Sequence, residues 1–129
     1  MKSKLVREWV LKAEEDYFTV EVLTRQRKKR VHNSVCFHAQ QCAEKYLKAL
    51  LVSHKVPVRK THDLGDLADT LQSYEPTLTL IADLLDGLTP YAAENRYPGE
   101  DATGREAKAA SKAMKEIRRF ARSRLKLSV

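Results

Sequence analysis

The chain has 129 residues, 43% of them hydrophobic, with only four glycines and four prolines. That is enough apolar material for one domain over residues 1–129, which excludes wholesale disorder, and too few turn-formers for a sandwich or barrel. The 24 Lys+Arg against 17 Asp+Glu leave a net charge of +7, which permits a polyanion partner without requiring one.

The apolar pattern is helical from end to end. Val6, Val10, Ala13, Tyr17, Val20 and Thr24 step by 4, 3, 4, 3, 4 and predict a first helix from about Leu5 to Arg25. The run Arg25–Arg30 then ends it, its cations suited to the negative end of the helix dipole. Asn33 or Ser34 is expected to cap a second helix reaching about His54, with Val35, Ala39, Cys42, Ala43, Tyr46 and Leu50 as its stripe. Pro57 stops that helix, and Thr61 or Asp63 can cap a short third one through about Leu71. Pro76 suits the first turn of a fourth helix carrying Leu78, Ile81, Leu84, Leu85 and Leu88, which Gly87 and Pro90 are expected to bend or split. After the breaker Tyr97-Pro98-Gly99, Thr103-Gly104-Arg105-Glu106 reads as a capping box opening a last helix to about Leu125. The expected fold is an all-α, up-and-down bundle of three long helices plus one or two short ones.

Charge is segregated along the chain. Residues 1–62 carry 14 basic and six acidic side chains, residues 63–101 one and nine, and residues 102–129 nine and two. The acidic middle could neutralise one basic block, within the chain or across a dimer. No apolar run approaches the ~18–20 residues of a membrane span, and the start turns charged too early for a secretory leader. Cys36 and Cys42 lie six apart on one predicted helix and point to different faces, so they cannot pair with each other. A reduced, cytoplasmic protein is the expectation.

Ala13-Glu14-Glu15-Asp16, followed by Cys36-Phe37-His38-Ala39-Gln40-Gln41-Cys42-Ala43-Glu44-Lys45-Tyr46-Leu47-Lys48, resembles the HEPN family. Thr61-His62-Asp63-Leu64 and Asn95-Arg96-Tyr97-Pro98 follow in the order that family shows, so the resemblance spans essentially the whole chain. It implies a helical bundle, commonly a homodimer, and a link to nucleotide binding. Small stand-alone prokaryotic members are often encoded beside a minimal nucleotidyltransferase, and such pairs can act as toxin–antitoxin modules. In RNase members, an Arg followed after four to six residues by a His forms the cleavage site near the last helices. Here no histidine follows His62, and the pairs Arg27/His32 and Arg25/His32 have that spacing only at the junction of the first two helices. No catalytic residue is therefore assigned.

Three clusters are candidates for binding. Lys60, His62 and Arg96 could hold a phosphate at the start of the third helix, with Tyr97 offering a ring to stack or a hydroxyl to modify. The plainer alternative is that His62, Asp63 and Arg96 tie loops to the bundle. On the second helix, His38, Gln41 and Lys45 (with Lys48) form a polar ridge. It is either solvated or, as the resemblance implies, close to a groove or dimer face. On the last helix, Lys108, Lys112, Lys115, Arg119 and Arg122 step along one side and, with Arg25–Arg30, could meet nucleic acid or an acidic protein; a solvated face is the alternative. No metal-ligand spacing and no phosphate-cradling glycine loop occur, so neither metal nor cofactor is implied. The leading expectation is a non-catalytic HEPN protein, binding a nucleotide or phosphate ligand or a nucleotidyltransferase partner. The alternatives are an RNA-binding protein or RNase toxin acting through the basic surface, and a purely structural interaction module.

Overall fold

The computed structural model describes residues 3–93 and 97–129, and every described element is helical. Helix α1 spans Lys4–Arg25, α2 His32–Ser53, α3 Leu64–Leu71, α4 Ala82–Leu88 and α5 Gly104–Arg124. Short 3₁₀ turns, Pro76–Ile81 and Thr89–Tyr91, flank α4. Pairings of α1 with α2 run from Trp9 beside Lys48 to Asp16 beside His38, so these helices are antiparallel. Helix α5 meets α2 at both ends in the same order, Gly104 beside His32 and Arg122 beside Tyr46, so these two run parallel. The short helices between them return the chain to the starting end.

Local chemistry accounts for most boundaries. Ser3 caps α1 by accepting from the Val6 amide, and Asp63 caps α3 by accepting from Gly65 and Asp66. Thr103 and Glu106 close the expected capping box on α5. The start of α2 differs from expectation. The helix begins at His32 with Val31 as its cap residue, and Asn33 is spent elsewhere: its amide group accepts from the Ala102 amide at 2.7 Å and donates to Asp101 at 2.8 Å. The fourth segment also differs. It begins as a 3₁₀ turn at Pro76, becomes α-helical at Ala82 and passes through Gly87 without a break, changing character again only at Thr89 before Pro90.

Helix α2 is the centre of the bundle. Nearly every residue from Val35 to Leu51 is buried, because α1 covers one side, α5 another, and α3 and α4 the rest. Leu47, Leu50 and Leu51 meet Leu64, Leu67 and Leu71 from α3, Leu85 and Leu88 from α4, and Met114 and Ile117 from α5 in one apolar cluster. Each such side chain contributes roughly 1.5–3 kcal/mol by leaving water. Polar residues share the same helix: Gln40, Glu44 and Lys48 are buried, and each is hydrogen-bonded. Among the described residues, no helix is long and apolar enough to cross a membrane.

Candidate functional site

The two basic segments that the sequence separates by some 80 residues meet in one groove. The turn after α1 supplies Arg30, α2 supplies its first residue, His32, and the first turns of α5 supply Lys108, Lys112 and Lys115. The groove has a volume of about 610 Å³ and an apolar floor that includes Leu23, Val31, Val35 and Ala107. No carboxylate occurs among its described lining residues. The basic turn is held by Gln26, whose side-chain oxygen accepts from the amides of Lys28 and Lys29 at 3.1 Å each, while its nitrogen donates to the Lys29 carbonyl. Five like charges in six residues are thus fixed by one neutral side chain. On the facing wall Gly104 opens α5, and a Cβ there would stand 3.4 Å from the His32 ring.

Three members of the α5 stripe, the groove-lining Lys115 among them, are engaged within the chain. Lys115 sits 3.5 Å from Glu21 of α1, and Arg119 sits 3.6 Å from Glu116. Arg122 is drawn inward: it donates to the Tyr46 hydroxyl at 3.1 Å and to the Ser128 carbonyl, and lies 3.6 Å from Glu14. Lys108 and Lys112 have no ion pair among the described residues and keep their charge for the groove.

Arg118 lies between the basic stripe and the apolar face, and periodicity alone gave no reason to single it out. Its guanidinium donates through Nε and Nη2 to both oxygens of Glu14, each at 2.8 Å, and stacks on Tyr17 with 4.1 Å to the ring centroid. Glu14 also accepts from the Tyr46 hydroxyl. Burial raises the Glu14 carboxyl, but the Arg118 and Tyr46 hydrogen bonds and the nearby Arg118 and Arg122 charges outweigh it, and the net shift is downward. This fork fastens α1 to α5. The only sequence signal was an acidic Ala13–Asp16 run interrupting the buried face of α1.

The α2 ridge is engaged against α1. Asp16, which is buried, accepts from His38 Nδ1 at 2.7 Å through one oxygen and from Lys45 at 2.5 Å through the other. Gln41 donates to Gln40, and Lys48 donates to Glu44 and lies over the Trp9 ring. His38 and Lys45 are therefore brought together around an internal carboxylate, while Gln41 bonds to its neighbour Gln40 instead.

The cluster at the start of α3 is arranged differently from a phosphate cradle. His62 Nδ1 lies 3.0 Å from Glu44, and the His62 carbonyl accepts from Gln40. The amides of Gly65 and Asp66 at the start of α3 are already met by Asp63, whose negative charge opposes a second anion there. Lys60 and Tyr97 are exposed, and neither they nor His62 line the basic groove. Arg96 lies outside the described residues. The acidic middle contributes one strong pairing, the buried Glu75 accepting from His54 and Arg124 at 2.6 Å each.

Cys36 and Cys42 are buried free thiols, and burial, with the negative charges of Glu14 and Asp16, raises the Cys42 thiol. Among the described residues, no group of three His, Cys, Asp or Glu could hold a metal ion. Set against protein-family models, residues 6–124 match the HEPN domain. No curated protein and no solved structure matches the chain significantly.

Proposed function

The chain belongs to the HEPN family, and on that premise we propose a non-catalytic recognition protein that binds a phosphate-bearing ligand, a nucleotide or short oligonucleotide, in the basic groove. One observation carries the reading: Arg30 and His32 from one end of the chain and Lys108, Lys112 and Lys115 from the other line a single concavity free of described carboxylates. Fixed cations around an apolar floor suit a ligand that joins phosphates to a flat, partly apolar base. On this reading the ligand sits away from Lys60 and His62, where Asp63 takes the Gly65 and Asp66 amides. Such a protein would act beside a nucleotidyltransferase, in a toxin–antitoxin pair, as some small stand-alone members of the family can.

Isothermal titration with ATP, GTP and dinucleotides, with and without Mg²⁺, tests the ligand. Binding by at least one of them, weakened tenfold or more in Lys108→Glu/Lys112→Glu, is the expected result. Silence from all of them overturns the reading. A second reading, RNA cleavage, is favoured by one feature: His32, the first residue of α2, lines the groove together with Arg30 from the turn before it. Degradation of total RNA by the purified protein, abolished in His32→Ala, would establish it; intact RNA would dismiss it.

A further inference from the structure

Among the described residues the buried polar side chains are Asp16, Gln40, Glu44, Lys48, Glu75 and Ser111. The first five are each held by a hydrogen bond to another residue, as buried polar groups generally are. Ser111 is the exception. It is 8% exposed, and its hydroxyl forms no hydrogen bond with any described residue. A hydroxyl on a helix has a ready internal partner, the carbonyl three or four residues back, and Thr19, Ser53, Thr70 and Thr89 all use theirs. Ser111 does not, and it lines the basic groove. The other hydroxyl and amide of that lining are already spent: Thr24 donates to the Glu21 carbonyl at 3.1 Å, and Gln26 holds the basic turn.

Its place on α5 decides which part of a ligand it meets. Lys108 and Lys112 are exposed, whereas Ala107 and Ser111, one turn apart on the same helix, are buried, so Ser111 stands where the charged rim gives way to the apolar floor. Phosphates drawn to the lysines stay at the rim. The group that reaches Ser111 must be flat and apolar enough to lie against Val35 and Ala107, and must still carry a hydrogen-bonding edge. A nucleobase meets both conditions. We propose that Ser111 recognises the base of a bound nucleotide, its hydroxyl hydrogen-bonding the base edge while Lys108 and Lys112 hold the phosphates. The assignment rests on the phosphate-ligand reading given above. A hydroxyl can both donate and accept, so it seats a base in the groove without choosing strongly between adenine and guanine. In the free protein the same serine costs stability, because alanine is the better helix former and brings no hydroxyl to satisfy. A serine that merely filled space would be replaced by alanine with no effect on binding; a ligand contact would not.

Isothermal titration of wild type and Ser111→Ala with ATP, GTP, dinucleotides and inorganic tripolyphosphate, together with thermal melts of both proteins without ligand, makes the test. Tripolyphosphate carries the phosphates and lacks the base. The variant should melt no lower than wild type and bind tripolyphosphate as wild type does. It should bind each nucleotide that wild type binds about tenfold more weakly. Equal nucleotide affinity in the two proteins overturns the role of Ser111 and leaves the groove reading standing. A matching loss for tripolyphosphate overturns it too, since the hydroxyl would then act on phosphate or on the shape of the groove. So does a variant that melts below wild type, because the hydroxyl would then serve the fold. Silence of the wild type toward every nucleotide defeats the groove reading itself, and the base contact falls with it.

Discussion

Replacing Arg118 with Met keeps an apolar stem against α1 and removes the guanidinium. Two charge-assisted hydrogen bonds to Glu14, each 2.8 Å, disappear, together with the stack on Tyr17. Hydrogen bonds to charged groups contribute roughly 1.5–3 kcal/mol each, and a cation–ring contact of this kind roughly 0.5–1. The Arg118 and Glu14 side chains are 18% and 29% exposed, so water screens part of the gain, and Arg122 and Tyr46 remain to hold the carboxylate. The expected net loss is about 2–3 kcal/mol, read from the urea midpoint at unchanged m-value. The pair Glu14→Gln and Arg118→Met should couple by about 1.5 kcal/mol in a double-mutant cycle. Acid gives an independent readout. The Glu14 carboxyl is lowered in the folded state, so its stabilisation is complete above the ordinary carboxyl range and is lost as pH falls through the depressed value. The gap between wild type and Arg118→Met should therefore narrow below roughly pH 4. A loss under about 1 kcal/mol at pH 7, or a gap that widens in acid, would refute the assignment of the α1–α5 clasp to this fork.

Three further changes test other joints. Thr103→Ala removes the hydroxyl that accepts from the Glu106 amide and should lower stability by about 1 kcal/mol in chemical denaturation. Gly87 sits inside α4 with open space where a Cβ would stand, so Gly87→Ala should raise stability by about 0.5–1 kcal/mol, visible as a higher melting temperature. Glu75→Ala strips a buried acceptor from His54 and Arg124 and should cost about 2–3 kcal/mol, with a matching drop in thermal midpoint.

What the sequence made legible was whatever depends on neighbours along the chain. The α1 stripe, the Asp63 cap and the Thr103–Glu106 box were readable because each uses residues within a few positions of one another. Long-range partners were not. Asn33 is a good cap by composition, yet the Ala102 amide, 69 residues away, claims it and the helix starts two residues earlier, with Val31 as its cap residue. Likewise His38 and Lys45 read as an outward ridge because nothing in their own segment shows that Asp16 lies opposite. The basic groove was half visible: both cationic segments stood out by charge, and their juxtaposition came only with the parallel course of α2 and α5.

Because α2 is walled in on every side, its amide protons can reach solvent only when the surrounding helices leave it. Hydrogen exchange along Val35–Leu51 should therefore report the global opening of the domain, whereas α3 and α4, short and exposed on their outer faces, can open in smaller steps. A protease would meet the same order of events. Cuts in the segment from Leu64 to Tyr91 would precede any within α2, and a chain severed inside α2 would leave neither fragment with a core to refold around.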